Sequence, residues 1–154
     1  MKYSIDTSAL IHAWRVAYAP TNFPGVWAKI GELIATGHLC AIDEVLLELK
    51  ERDDELLKWA KDNRPMFRAI NFDIEEKHRE ILRLWPASIV ASQSGPFADP
   101  FVIALAATER CIVVTEEKKT GNMKGPKIPD VCDHLGVQWT TCLGLIQREG
   151  WRFD

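Results

Sequence analysis

Short apolar runs alternate with amphipathic stretches along the whole chain. Lys2 to Ile5 reads as a short strand that ends at Asp6. Thr7 and Ser8 lead into a helical run, Ala9 to Ala17, which Pro20 stops. Pro24 sits at a favoured first helical position and opens a second helix, with Val26, Trp27, Ile30, Leu33 and Ile34 on one face. Gly37 ends that helix, and Leu39 to Ile42 forms a second predicted strand. Asp43 is positioned to cap a helix from Glu44 to about Glu51, and a further helix runs from Asp54 toward Asn63 before Pro65 breaks the pattern. Asp73-Ile74-Glu75-Glu76 has the spacing of a capping box and starts a helix that ends before Pro86.

The segment from Ala91 to Ala98, rich in Ser, Gly and Pro, is a predicted loop. Asp99-Pro100 starts a strongly apolar helix, Phe101 to Ala107, and Cys111 to Thr115 is the clearest buried strand. A Gly- and Lys-containing loop from Lys118 to Lys127 precedes a short helix near Asp130 to Leu135. Gly136 leads to a last strand, Val137 to Thr140, and a final helix and tail follow from about residue 141. Strands alternating with helices predict an α/β sandwich around a mainly parallel sheet, in one domain spanning 1–154. Functional groups in such sheets collect at the carboxyl ends of strands, which directs attention to Asp6, Asp43 or Glu44, and Glu116 or Glu117.

A chain of 154 residues can bury a full core without disulfides or a structural metal. Cys40, Cys111, Cys132 and Cys142 show no C-x-x-C spacing, and the thiols of Cys40 and Cys111 read as small buried hydrophobes. Cys132-Asp133-His134 resembles half of a zinc site, but no second pair of ligands follows it. His12, His38, His78 and His134 lack triad or metal spacing and read as structural. The chain meets a charge before any leader-like apolar stretch and has no run of about 18 apolar residues, so a reduced cytoplasmic setting without membrane contact is expected. The net charge of −3 excludes a protein that holds nucleic acid by bulk charge alone. An RNA substrate would therefore need a bound divalent metal, a basic loop, or both.

The acids supply the candidate chemistry. Asp6 and Asp99 each begin a helix, where an aspartate cap stabilises by about 1 kcal/mol. Either can cap and still offer a second oxygen to a metal. Glu48 borders the apolar stripe of its helix, where a carboxylate is costly unless paired; the bland reading is an ion pair with Arg52 at i+4. Glu116 and Glu117 follow a buried strand and can simply mark its emergence into water. Taken together, clustered carboxylates repel and are tolerable only when cations or protons neutralise them. Oxygen ligands suit Mg²⁺ or Mn²⁺, which can activate water for phosphodiester cleavage. Thr7 or Ser8 is placed to orient a metal-bound water, and Thr115 to support the far side.

Ile5-Asp6-Thr7-Ser8, Val45-Leu46-Leu47-Glu48-Leu49, Ala98-Asp99-Pro100-Phe101-Val102-Ile103-Ala104 and Val113-Val114-Thr115-Glu116-Glu117 resemble, in order and spacing, the motifs of PIN-domain nucleases. The likeness runs from about Lys2 to Trp139 and is greatest to a prokaryotic subgroup related to VapC-type toxins. It implies a Rossmann-like α/β/α fold, Mg²⁺- or Mn²⁺-dependent cleavage of RNA, and neutralisation by a protein antitoxin. Asp6, Glu48 and Asp99 match the three core acids, and the fourth, usually Asp in Thr-x-Asp, falls on Glu117. Asp6, Asp99 and Glu117, with Glu116 beside it, are the implied metal ligands. The segment Thr120 to Lys127 is an insertion relative to the family's short connection. Lys118, Lys119, Lys124 and Lys127 either clamp RNA phosphates from that loop or are simply solvated. Trp27 and Trp59 read as core, whereas Trp14, Trp151 and Phe153 are candidates for a homodimer or antitoxin interface. A noncatalytic PIN-like module that binds RNA or protein is the alternative. A phosphatase is disfavoured by the lack of a glycine-rich phosphate loop and of Asp-x-Asp-x-Thr.

Overall fold

A computed structural model describes residues 2–52 and 54–154. The strands are β1 (Tyr3–Ile5), β2 (Leu39–Ile42), β3 (Phe67–Arg68), β4 (Ile112–Val114) and β5 (Trp139–Thr140). They form one parallel sheet in the order β3-β2-β1-β4-β5, with Tyr3 opposite both Leu39 and Ile112. The helices are α1 (Thr7–His12), α2 (Pro24–Ala35), α3 (Asp43–Lys50), α4 (Glu55–Asp62), α5 (Phe72–Leu82), α6 (Ala87–Ala91), α7 (Asp99–Glu109), α8 (Ile128–Leu135) and α9 (Cys142–Glu149). The result is the α/β sandwich around a parallel sheet that the alternation predicts, in the three-layer α/β/α Rossmann-like form that the resemblance implies.

Alternation along β1 assigns the layers. Ser4 faces one side, where its hydroxyl donates to the Val102 carbonyl of α7 (3.0 Å), and α5 packs outside α7. Tyr3 and Ile5 face the other side. There Ile5, Leu39 and Val114 meet Leu10, Val26, Ile30 and Leu145 from α1, α2 and α9, and the Tyr3 hydroxyl donates to Glu149 (2.6 Å). Helix α7 is buried from Val102 through Ala106, as befits a helix between the sheet and a further layer.

Several elements differ locally from the sequence reading. Strand β3, just past Pro65, was not predicted, because two residues pairing with Ala41 and Ile42 carry no periodicity to detect. Helix α6 was also missed, where Pro86 ends one helix and immediately precedes another. The last strand is shorter than expected: Gly136 takes φ 71°, and the Val137 amide closes back on the Cys132 carbonyl (2.9 Å). After His12 the first helix widens into a π-helical stretch, Ala13–Ala17. Asp43 lies inside α3 rather than capping it, and its carboxylate pairs with Arg64. Helix α5 is capped by Asn71, whose side chain accepts from the Ile74 amide (2.9 Å), two residues before the expected capping box. Asn71→Ala is therefore expected to cost about 1 kcal/mol, read as a lower urea midpoint with an unchanged slope.

Trp27 and Trp59 are core residues as expected, with ring centroids 5.1 Å apart. Trp14, partly buried, packs against them with its ring 4.9 Å from Trp27. Trp151 also packs against the core, whereas Phe153 stays exposed. All four cysteines are free and buried, and burial pushes the Cys111 thiol up to about 12. Among the described residues, no helix is long and apolar enough to cross a membrane.

Candidate metal centre

Chain leaves β1 toward β2 on one side and β4 toward β5 on the other, so a crevice opens between the carboxyl ends of β1 and β4. Asp6 stands at the first of these ends. Its amide donates to the Val114 carbonyl (2.8 Å), which extends the β1–β4 ladder and drives the side chain into the crevice. The carboxylate makes no cap bond to α1. Instead, Oδ2 accepts from Ser8 Oγ (2.6 Å) and Thr115 Oγ1 (3.1 Å). Those hydroxyls are themselves braced: the Glu116 amide donates to Ser8 Oγ and the Glu117 amide to Thr115 Oγ1, each at 3.1 Å. Ser8 and Thr115 thus orient Asp6. Thr7 donates its hydroxyl to Glu48.

Asp99 is the first residue of α7, followed by Pro100, and the cap position falls on Ala98. The Asp99 side chain is thereby left for the crevice. Glu117 reaches in from the end of β4 while its Oε1 accepts from the Ile128 amide at the start of α8 (3.0 Å). Asp6, Asp99 and Glu117 each offer an oxygen, and the three lie within 4.8 Å of one another. Glu48 borders this group without joining it. It does not pair with Arg52 in the structure; it accepts from Thr7 Oγ1 and from the Ala98 amide (3.0 Å), tying α3 to the start of α7.

Glu116, an implied ligand beside Glu117, does not enter the cluster. Adjacent residues leaving a strand point to opposite sides. Its carboxylate accordingly lies on the α1/α9 side, accepting from the Cys142 amide (2.8 Å) and standing 3.9 Å from His12 Nε2. The Cys132-Asp133-His134 run, already disfavoured as a zinc half-site, is separated by the fold: Cys132 is in the core while Asp133 pairs with Lys119.

Burial raises the Asp6 carboxyl to about 7, assisted by the charges of Glu117 and Glu48 and opposed by the Ser8 and Thr115 hydroxyls. Burial, then the charges of Asp6 and Glu117, hold Asp99 well above the usual carboxylate range. Three acids this close cannot all ionise without a counter-cation. The donor set is oxygen only, which fits a hard divalent cation such as Mg²⁺ or Mn²⁺ rather than zinc.

The acids open onto a cleft of about 880 Å³. Its lining includes Trp85, just before α6, Ile89 of α6 and Phe97 of the loop that follows, a segment whose sequence suggests no functional role. Two cationic residues line the cleft, Arg52 and Lys127. From sequence, Arg52 is only a candidate ion-pair partner for Glu48. Lys118 and Lys124 are exposed away from it, and Lys119 is paired with Asp133 (2.7 Å).

Fold and site together define a Rossmann-like α/β protein with a carboxylate cluster at the switch point of a parallel sheet. The chain belongs to the family described as a domain of unknown function (DUF4411), which matches residues 3–153. No curated protein matches it.

Proposed function

We propose that this protein is a divalent-metal-dependent ribonuclease of the PIN type, acting as the toxin of a toxin–antitoxin pair. The observation that carries the reading is the convergence of Asp6, Asp99 and Glu117 oxygens within 4.8 Å at the floor of an open cleft. RNA as the substrate and a protein antitoxin as partner are what the resemblance of the four acidic motifs to those of PIN-domain nucleases implies. Asp6, Asp99 and Glu117 would hold the cation. When bound, Mg²⁺ or Mn²⁺ lowers the pKa of water and stabilises charge developing on a phosphodiester. Ser8 and Thr115 keep Asp6 oriented, and Glu48 keeps the start of α7, hence Asp99, in register with Asp6.

The direct test is cleavage of a labelled single-stranded RNA with Mn²⁺, Mg²⁺ or EDTA. Cleavage is expected with either metal and none in EDTA; equal activity in EDTA would end the proposal. A noncatalytic binding module is the second reading, favoured by the structural bonds that Glu48 and Glu117 already make to Ala98 and Ile128. Binding of Mn²⁺ and RNA without any cleavage would support it.

A further inference from the structure

The loop between β4 and α8 is closed around a single side chain. Asp130, at 5% exposure, accepts from four donors: the Thr120 amide (3.0 Å), Thr120 Oγ1 (2.8 Å), the Gly121 amide (2.7 Å) and the Lys127 amide (2.8 Å). These bonds join the loop's first half to its last residue. Gly121 takes φ 70° at the turn, and the Thr120 hydroxyl in turn accepts from the Asn122 amide (3.1 Å). Gly125, Pro126 and Lys127 are thereby laid along the rim of the acidic cleft. Ile128, immediately after Lys127, has its amide on Glu117 (3.0 Å), so the backbone carrying Lys127 is anchored at the carboxylate cluster itself.

The loop's four lysines are not equivalent. Lys119 is held on Asp133, Lys118 and Lys124 do not line the cleft, and Lys127 does. A polyanion approaching Asp6, Glu48, Glu51, Asp99 and Glu117 meets strong repulsion, and Lys127 is the cation that the loop delivers beside them. We infer that Lys127 contacts a phosphate of the nucleic acid bound in this cleft, and that Asp130 is the positioning residue that clasps the loop to hold Lys127 there. The inference rests on the nuclease reading and identifies which part of the insertion meets substrate.

The test measures binding of a labelled single-stranded oligouridylate in Ca²⁺ over a range of salt, alongside Mn²⁺ titration of the same proteins. Lys127→Ala is expected to weaken RNA binding about five- to ten-fold and to reduce the salt slope by about 1, with Mn²⁺ affinity unchanged. Lys127→Arg should retain binding, and Lys124→Ala should match the parent. Asp130→Asn, or Thr120→Ala if that variant folds poorly, should weaken binding similarly. Combined with Lys127→Ala, either should add little, because both act through one contact. Lys127→Ala with unchanged affinity and slope, or fully additive losses in the double variant, would overturn the inference. Failure of the parent to bind Mn²⁺ would instead overturn the nuclease reading on which it rests.

Discussion

Asp6→Asn is expected to be inactive and, in EDTA at pH 8, more stable than the parent. Asp6 is 1% exposed, and its carboxyl is raised to about 7 by burial and by Glu117 and Glu48. At pH 8 an ionised Asp6 is therefore a buried charge among like charges. Asparagine keeps an oxygen for Ser8 Oγ and Thr115 Oγ1 and removes that charge, a change worth on the order of 1–3 kcal/mol, or roughly 3–8 °C in Tm for a domain of this size. The same change removes one oxygen of the proposed metal site, and on that proposal RNA cleavage is expected to fall about 10³-fold. Opposite movement of activity and stability is the signature of a group kept for chemistry. Tm and initial cleavage rates measured on one preparation decide the matter. A variant that loses stability, or one that still cleaves at the parental rate, would show that Asp6 serves the fold instead.

The second large effect is a stability that falls as pH rises and is restored by a divalent cation. A carboxyl whose folded pKa lies near 7, against about 4 unfolded, binds more protons in the native state throughout that interval. The unfolding free energy therefore declines from about pH 4 to about pH 7. For Asp6 the loss is on the order of 2–4 kcal/mol, and Asp99 is displaced in the same direction. Groups with lowered pKa values act differently, Asp130 and His78 among them. Asp130, drawn down to about 2 by its amide and hydroxyl donors, contributes stability above its unfolded pKa that disappears as pH falls toward 2. His78 is lowered by burial beside Phe101, so its contribution grows as pH rises through the ordinary histidine range. Urea titrations in EDTA at pH 5 and pH 8 should thus give the lower midpoint at pH 8, and the difference should shrink in Asp6→Asn, with Asp99 carrying what is left. Mn²⁺ at a hundred times its Kd should return about 2.7 kcal/mol at pH 8. A midpoint that rises between pH 5 and 8 in EDTA, or is indifferent to Mn²⁺, would remove the cluster as the source of the effect.

Much of this architecture was legible in the chain because its signals are local. Apolar runs ending at Asp6, Ile42 and Thr115, and punctuation by Pro24, Gly37, Pro100 and Gly136, are enough to mark an alternating α/β protein. Asp6, Asp99 and the Glu116-Glu117 pair could be singled out because each stands at a strand end or helix start that a parallel sheet gathers on one edge. Tertiary structure decided the rest. Which of two adjacent glutamates enters the crevice depends on the direction each leaves β4, and Glu117 and Glu116 were separated by the positions of α8 and α9. Asp6 and Asp99 looked equally suited to capping; neither side chain caps a helix, because Ser8, Thr115 and their charged neighbours surround the crevice they enter. The role of Asp130 was invisible in sequence, since its four donors are spread over eight positions and meet only when the loop closes. Periodicity reports which face of an element is buried, whereas the sharing of a site among residues far apart in the chain is set by packing.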